Sequence, residues 1–389
     1  MTLTEADWAQ ARAAARGVAG RLPGELVRVD ALAGRVLARD CEALIALPHD
    51  DTSAMDGWAV AGEGPWTVVG DVRAGLPWAR MLVPGEAVRI ATGGVIPTGT
   101  DAVIRWEVAT LDGATLHGGV EPGRDIRRAG EECGAGDRIA SAGIVVSPAL
   151  AGLLAATGHD TVDVVRRPRA SVLLLGDELQ SSGIPTEGRV RDSLGPQLPG
   201  WLSRMGAEVA ERQHVPDDLA ALQGALEDVG GASDVVITTG STAAGPRDHL
   251  HAAIESVGGV LVVDRVAVKP GHPMLLAVLD IGGRAIPLIG LPGNPHSAIV
   301  GLLTLGQPVI ASLLGLREGT VLRVPTREEL RSPAAHTRLI AGTLREGHFD
   351  MAPYQGSAML RGLAQSTGFA VAPAGMTPAG ALVEWLPLP

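Results

Sequence analysis

Short apolar runs alternate with amphipathic segments between residues 168 and 316. The apolar runs are typical of strands and lie at 170–179, 208–215, 234–240 and 260–268, followed by a hairpin at 274–291. The amphipathic segments at 195–207, 216–229 and 247–257 have the pattern of helices, and a long apolar helix begins at Pro295. Alternation of this kind predicts an open, largely parallel β-sheet covered by helices.

The segments on either side of this region have a different pattern. Residues 1 to 167 begin with an amphipathic helix and continue as short strands separated by Gly and Pro, with a second helix at 148–158. From about residue 317 short strands and turns return, which is typical of a small β domain. The sequence therefore predicts a multidomain α/β protein whose central domain contains the open sheet.

Length, net charge and cysteine content limit the classes to which this protein can belong. A chain of 389 residues is too long for one hydrophobic core and predicts two to four domains. The formal charge of −11 argues against a general nucleic-acid binder, and Cys41 and Cys133 form no CxxC pair, which is typical of a reducing compartment. No signal peptide is recognisable and no run approaches the length of a membrane span. We expect a cytoplasmic protein that binds neither nucleic acid nor a membrane.

The loops that follow the predicted strands contain the candidate chemistry. They lie at 175–178, 239–245, 269–273 and 292–297 and contain Gly or Gly-Pro turns, whose backbone N–H groups can point at an anion. The last loop opens directly into a helix, whose N-terminus adds partial positive charge. Each loop alone is explained by a tight turn. Four of them at one edge predict an anion site, because open α/β sheets bind ligands beyond the carboxyl ends of their strands.

Carboxylates lie in or beside these loops, at Asp177, Glu178 and Asp248. A phosphate site with acids beside it usually implies a divalent cation, because Mg²⁺ bridges carboxylate and phosphate oxygens. The sequence therefore predicts a phosphate site that depends on Mg²⁺.

Lysine and asparagine each occur once in the chain, and each lies in or directly beside a Pro-Gly-x-Pro turn. Lys269 is the only lysine among 32 Lys and Arg residues, and Asn294 is the only asparagine. Proline fixes φ and glycine allows close approach, so twin turns of this kind can hold backbone amides around an anion. We expect Lys269 to supply a compact charge for a tetrahedral oxyanion and Asn294 to donate and accept hydrogen bonds beside it.

The motifs and their order resemble those of one enzyme family. They read DDTSAMDGWAV (50–60), RIATGGVIPTGTDAVIRWE (89–107), DIRRAGEECGAGDRI (125–139), LLGDEL, VRDSLGP (190–196), VITTG, VKPGHP and GLPGNPHSA. This series is similar to that of the molybdopterin molybdenumtransferases, which comprise the bacterial MoeA type and the E domain of gephyrin. The resemblance covers essentially the whole chain.

The resemblance implies a reaction and an architecture. Family members take adenylylated molybdopterin and molybdate, cleave the pyrophosphate linkage, release AMP and leave molybdenum on the pterin dithiolene. The chain would have four domains: a discontinuous linker domain (1–44 and 140–167), an inserted β lobe (45–139), the α/β molybdopterin-binding domain (168–316) and a C-terminal β domain (317–389). It would form a homodimer, with each active cleft between one subunit's α/β domain and the partner's lobe. The upstream molybdopterin adenylyltransferase would be a further partner.

The resemblance also assigns roles to residues. The residues expected to be catalytic are Asp56, Thr92, Asp177 and Lys269. Those expected to bind substrate are Asp192, Ser193, Gly240, Gly271, His272, Pro292, Gly293, Asn294, Pro295 and Ser297. Glu178 and Asp248 are expected to hold Mg²⁺. Without the resemblance, Asp56 is explained equally well as a carboxylate that caps the turn before Gly57.

The chain departs from the family in four ligand loops, at Leu175, Leu194, His272 and residues 241–245. His272 occupies the position of a second lysine, so we expect molybdate affinity to fall from about pH 6 to about pH 8, where free histidine loses its charge. Two functions remain open: a working molybdenumtransferase, or a non-catalytic paralogue that binds molybdopterin or its nucleotide as a carrier. The segment 354–363 either brings Gln355 or Ser357 to the cleft or forms a plain turn.

Overall fold

The largest sheet has seven strands and forms the centre of the protein. The computed structural model describes residues 2–73, 75–242 and 249–389. In spatial order the strands are Leu3–Ala6, Val260–Val266, Leu275–Ile281, Arg284–Leu291, Val235–Thr239, Arg169–Leu175 and Glu208–Val215. Neighbours are parallel except where the hairpin strand Leu275–Ile281 runs antiparallel to both of its neighbours. The predicted open, largely parallel sheet is confirmed.

Side chains alternate across this sheet and create a hydrophobic core on each face. Val172 and Leu174 pack in a cluster with the helices Trp8–Gly17, Leu198–Arg204 and Gln307–Leu313. Leu173 and Leu175 pack in the opposite cluster, with the helices Leu219–Gly230 and Leu250–Ser256. Both faces are covered because successive strand side chains point to opposite sides, as the apolar run in the sequence requires.

The long helix of the α/β domain corrects one expectation. Pro295–Leu313 is built from the helical segments Pro295–Gly301, Leu302–Gly306 and Gln307–Leu313, of which the middle one is a π-helix. It is long and apolar enough to cross a membrane, so the expectation that no run approaches that length was wrong. In this structure 89% of its most apolar window is buried inside the protein, as in a core helix.

The N-terminal region contains one small sheet beside a helix. The sheet consists of Gly24–Arg28, Thr161–Val165 and Val36–Leu37, and the helix is Pro148–Ala156. A 3₁₀ helix, Val29–Ala31, and the strand pair Cys41–Glu42 with Arg138–Ala140 complete this region. The first strand and helix of the chain pack elsewhere, because Leu3–Ala6 pairs with the large sheet and Trp8–Gly17 contacts Gln307–Leu313.

The segment predicted as an inserted lobe contains a six-stranded sheet. Its strands are, in spatial order, Thr110–Asp112, Thr115–His117, Trp66–Asp71, Glu86–Ile90, Gly57–Val60 and Ala102–Arg105. A two-stranded sheet, Thr52–Ser53 with Ile126–Arg127, and the 3₁₀ helix Trp106–Val108 lie beside it. Separate apolar clusters that include Ala59 and Trp58 cover its two faces.

The C-terminal region forms a second six-stranded sheet, and one of its strands, Val268–Lys269, comes from the α/β domain. Its strands are Val268–Lys269, Thr337–Arg345, Gly368–Ala372, Leu382–Pro387, Leu322–Pro325 and His348–Met351. The pair Leu330–Ser332 with Gly375–Thr377 and the helix Leu360–Ala364 complete the region. Because Val268–Lys269 pairs with Thr337–Arg345, the C-terminal region is fixed beside the carboxyl edge of the large sheet.

A buried ion pair connects the N-terminal region to the large sheet. Both terminal nitrogens of Arg166 donate to the Asp234 carboxylate, at 2.6 and 2.7 Å, and the Arg169 N–H donates to the same group at 2.8 Å. Burial alone would raise the pKa of Asp234, but the hydrogen bonds from Arg166 and Arg169 outweigh burial and hold the pKa below its ordinary value. The charged form of Asp234 therefore stabilises the folded protein.

Candidate active site

A cavity of about 840 Å³ opens at the carboxyl ends of three central strands. The strands Arg169–Leu175, Val235–Thr239 and Arg284–Leu291 run parallel, and their register pairs Leu174 with Thr239 and Thr239 with Leu291. Eight of the residues expected at the site line the cavity: Glu178, Asp192, Ser193, Gly240, Pro292, Gly293, Asn294 and Pro295. The structure thus brings all four loops expected to form the anion site to this cavity, although the loop at 269–273 lines it only through Pro273.

Two glycine turns meet at the floor of this cavity. The Gly240 N–H donates to the Leu291 carbonyl at 2.8 Å, and Gly240 has a φ of +85°. A Cβ on Gly240 would lie 3.2 Å from the Leu175 carbonyl oxygen, and one on Gly293 would lie 3.7 Å from the Gly240 Cα. Glycine is required at 240 by its left-handed φ as well as by this close approach.

Among the expected acids that the structure describes, Glu178 alone lines the cavity without accepting hydrogen bonds from its own turn. Glu178 lines the cavity wall, and its carboxylate lies against the Cα of Gly176. Asp192 lines the cavity too, but its Oδ1 accepts the N–H groups of Leu194 and Gly195 at 2.9 Å, which stabilises its own turn. Asp177 lies outside the cavity wall. Its N–H donates to the Asp217 carboxylate and its own carboxylate accepts the Asp217 N–H, both at 3.3 Å. Asp248 lies outside the described residues.

Lys269 is exposed beside the cavity rather than in its wall. In the parallel pairing of Val268–Lys269 with the C-terminal sheet, its Cα partner is Arg338. Gly271 follows with a φ of +105°, and a Cβ there would lie 3.1 Å from the Ser297 carbonyl oxygen. The turn after Lys269 therefore packs closely on the first turn of the helix that begins at Pro295.

The side chain of His272 faces the first strand of the protein. Its Nε2 lies 2.7 Å from Glu5 Oε2, and its ring lies 5.7 Å from that of His336. Glu5 also pairs with Arg265, at 3.1 Å. His272 does not line the cavity, whereas its neighbour Pro273 does. A role for His272 in binding an oxyanion stays a prediction, and such a role would compete with the contact to Glu5.

The C-terminal region contributes to the cavity through the loop around Ser357. Asn294 Nδ2 donates to Ser357 Oγ at 3.4 Å, and the Ser297 N–H donates to the Ser357 carbonyl at 3.2 Å. Ala358 and Leu360 line the cavity wall. Gln355 instead bonds to the backbone of Ala341, at 3.0 and 2.8 Å, and holds its own loop.

The same loop receives a hydrogen bond from a buried histidine. His296 Nδ1 lies 3.2 Å from the Gly356 carbonyl, and burial lowers the pKa of His296. Its neutral form can donate this bond from Nδ1, so the helix that begins at Pro295 and the Ser357 loop are joined without a buried charge. The sequence drew attention to Ser357 but offered no indication of Arg338, because strand pairing over a long separation brings it beside Lys269.

Asp56 and Thr92 lie together on the lobe. The Thr92 N–H and hydroxyl both donate to Asp56 Oδ1, at 2.7 and 2.9 Å. The backbone hydrogen bond from Thr92 is the main reason that the pKa of Asp56 is lowered, followed by its side-chain hydrogen bond and the charge of Arg89. Asp56 lines a separate cavity of about 430 Å³, which shares no lining residue with the larger one among the described residues.

Two of the departures from the family pattern make the lining of the larger cavity more apolar. Leu175 lines its floor and Leu194 its side, and both are largely buried. Ser241 also lines it and has a φ of +52°, a left-handed conformation that glycine adopts at less cost. Residues 243–245 of the same departure lie outside the described residues.

Comparisons with known proteins match both large segments of the chain. A family model described as "MoeA N-terminal region (domain I and II)" matches residues 6–158, and one described as "Probable molybdopterin binding domain" matches residues 171–312. The molybdopterin molybdenumtransferase of Haemophilus influenzae is 35% identical over 76% of this chain and 74% of that protein. That of Nostoc sp. is 32% identical over 91% of this chain and 86% of that protein.

Solved structures agree with these relatives. The molybdopterin biosynthesis MoeA protein from Pyrococcus horikoshii superposes with a TM-score of 0.81 at 25% identity, over 98% of this chain and 99% of that chain. A second structure, of the moeA protein from strain OT3, shows the same fold, with a TM-score of 0.82 at 22% identity. The predicted fold class and the predicted family are both confirmed. The chain belongs to the molybdopterin molybdenumtransferases, an enzyme family of molybdenum cofactor biosynthesis.

Proposed function

We propose that this protein transfers molybdenum from molybdate to adenylylated molybdopterin and releases AMP, with the larger cavity as the phosphate site. The observation that carries the proposal is the meeting of the loops at Glu178, Gly240 and Asn294 in one cavity at the carboxyl edge of the sheet. Cleaving a phosphoanhydride requires charge neutralisation and positioning more than a protein nucleophile. The helix that begins at Pro295, with the Gly293 turn before it, supplies the positioning, because the Gly240 N–H is already bonded to the Leu291 carbonyl.

The residues of the cavity fit a Mg²⁺ ion that is shared with substrate phosphate. Mg²⁺ is usually bound by one or two carboxylates and by phosphate oxygens rather than by a full protein cage. Glu178 is the carboxylate in the cavity wall that does not stabilise its own turn, and the described residues contain no cluster of three metal-ligating side chains. Glu178, joined by Asp248 as the sequence predicts, would hold the ion, which would neutralise charge on the phosphate oxygens.

Lys269 and Arg338 are the cations that we assign to the molybdate oxyanion. They are Cα partners on adjacent strands beside the cavity, so both can reach one small anion. In this arrangement Arg338 takes the place that the sequence gave to His272, which already faces the Glu5 carboxylate. Molybdate titrations at pH 6 and pH 8 separate the two assignments. We expect Arg338→Gln to weaken binding at both pH values, whereas His272→Gln weakens it only at pH 6 if the histidine binds the anion.

We propose that the active unit is a homodimer in which Asp56 faces the partner's cavity. The helix Pro148–Ala156 supports this proposal, because its nine residues are all apolar and only Leu154 is buried. Helices that are apolar on all sides are normally covered. Leu44, which is 59% exposed, and Ile45 lie beside the end of this helix at Gly158 and extend the same apolar surface. A second copy of the chain would bury this surface and bring a lobe to each cavity.

Molybdate-dependent release of AMP from adenylylated molybdopterin by the purified protein tests the proposal. We expect release to require molybdate and Mg²⁺ and to fall at least tenfold in Lys269→Ala. The non-catalytic carrier that the sequence left open would bind the nucleotide without releasing AMP, and no observation favours it. Binding without release would therefore refute the proposal. The upstream adenylyltransferase and a cytoplasmic location remain expectations from the family.

A further inference from the structure

The smaller cavity, on the lobe, combines an aromatic ring, a cation and carboxylates. It is lined by Asp56, Arg89, Ile90, Ala91, Trp106 and Glu107. Trp106 is 48% exposed, although an indole usually buries most of its surface in a folded protein. An exposed indole in the wall of a polar cavity is a surface on which a flat ligand can stack.

The aromatic surface is held in place by the sheet beneath it. Trp106 stacks on the buried Trp58 with ring centroids 5.2 Å apart and planes 20° apart, and the backbone N–H of Trp106 donates to the Asp56 carbonyl at 3.1 Å. The guanidinium carbon of Arg89, the cross-strand partner of Trp58, lies 4.5 Å from the centre of the Trp106 ring. A ligand would therefore meet a preformed surface and lose little free energy in ordering it.

The polar groups of the cavity determine what kind of ring can bind. Carboxylates accept hydrogen bonds and do not donate them when ionised, so Glu107 and Asp56 require N–H groups on the ligand. Arg89 donates, so a carbonyl oxygen beside those N–H groups would also be matched. Phosphate is a poor occupant, because two carboxylates in one small cavity repel it.

We propose that this cavity binds the 2-amino-4-oxopyrimidine edge of the pterin, with Glu107 accepting its amino and ring N–H groups and the Arg89–Trp106 pair stacking on its face. The inference rests on the proposed function, in which the partner's lobe closes over the substrate. Adenine lies at the other end of the same substrate and has an amino donor beside a ring nitrogen that accepts. A carboxylate can pair with the amino group but not with that ring nitrogen, so adenine matches it less well. Trp106 and Glu107 then determine which end of the substrate enters the lobe.

Binding of neutral fragments tests the inference without turnover. The purified dimer is titrated with 6-hydroxymethylpterin, guanosine and adenosine, and each dissociation constant is measured by calorimetry. We expect the pterin and guanosine, which share the amino, ring N–H and carbonyl edge, to bind more tightly than adenosine. We expect Trp106→Ala to weaken it about tenfold, the order that a stacked ring contributes, and Trp106→Phe to keep most of the affinity. Glu107→Gln should weaken pterin binding and leave adenosine unchanged.

Val108→Ala is the matched control, because this residue lies in the same short helix, is exposed and does not line the cavity. It should bind the pterin as the parent does, with the same thermal unfolding. Equal pterin affinity in the parent and Trp106→Ala, or tighter binding of adenosine than of pterin, would overturn the inference. Loss of AMP release in the parent would count against the proposed function only, because fragment binding is measured separately.

Discussion

Gly176→Ala tests whether the position of the Glu178 carboxylate controls activity. A Cβ on Gly176 would lie 2.5 Å from Glu178 Oε2 and 2.8 Å from Oε1, too close for either atom to stay where it is. Gly176 also has a φ of +135°, which residues with a Cβ rarely adopt. The substitution therefore changes both the backbone conformation and the position of a charged group in the cavity wall.

The backbone effect should lower stability, whereas the displaced carboxylate should lower activity. The carboxylate is the end of a flexible, exposed side chain, so moving it costs little stability. The backbone conformation should cost about 1–3 kcal/mol of unfolding free energy. Removing the carboxylate from the ion and phosphate should reduce AMP release at least tenfold, which corresponds to about 1.4 kcal/mol of barrier.

AMP release and urea unfolding separate these effects when they are measured for the parent and for four variants: Gly176→Ala, Glu178→Gln, their double variant and Gly282→Ala. Gly282→Ala is the control, because Gly282 also has a positive φ, +61°, but has open space around its Cβ position. It should lose about 1 kcal/mol of stability and keep its activity. The double variant, Gly176→Ala with Glu178→Gln, should release AMP as fast as the slower of the two single variants. Both changes act through the same carboxylate, so the second change adds no further loss.

Full AMP release by Gly176→Ala, at a temperature where it is folded, would refute the reasoning. A double variant whose loss of AMP release equals the product of the two single losses would also refute it. Such a result would show that Gly176 acts independently of Glu178.

The remaining predictions concern the ion, the dimer and two stability effects. Excess chelator should abolish AMP release and Glu178→Gln should reduce it at least tenfold, and undiminished activity with chelator would exclude the ion. Mixing inactive Asp56→Asn with inactive Lys269→Ala should restore part of the activity through hybrid dimers, and its absence after verified subunit exchange would contradict a shared cleft. Asp234→Asn should lower the unfolding free energy at pH 7 by about 2–3 kcal/mol. The folded-state pKa of Asp234 is lowered, so this contribution to stability is complete above the ordinary carboxyl pKa of about 3.9 and is lost as the pH falls below it. The denaturation curves of parent and variant should therefore converge in acid. Ser241→Gly should stabilise the protein by about 1 kcal/mol by removing the strain of a φ of +52°, as thermal unfolding can show.

The sequence by itself determined the central sheet and the family. Residues 208–215 were predicted as a strand, and the structure has the strand Glu208–Val215 there. The hairpin predicted at 274–291 forms from Leu275–Ile281 and Arg284–Leu291. These elements were predictable because the apolar periods and the turn glycines are local properties of the chain. The loops at Glu178, Gly240 and Asn294 meet for the same reason, since parallel strands place their carboxyl ends at one edge.

Only the tertiary structure decided which side chains face the cavity. His272 turns to Glu5, a residue 267 positions earlier in the chain, and Asp192 bonds to its own turn, although both had been assigned to substrate. Arg338 lies beside Lys269 because the C-terminal sheet pairs with Val268–Lys269, and Ser357 lies beside Asn294, which donates to its hydroxyl. A motif fixes residue type and backbone turn. The direction of a side chain depends on partners that are distant in sequence, and those partners become neighbours only when the sheets have paired.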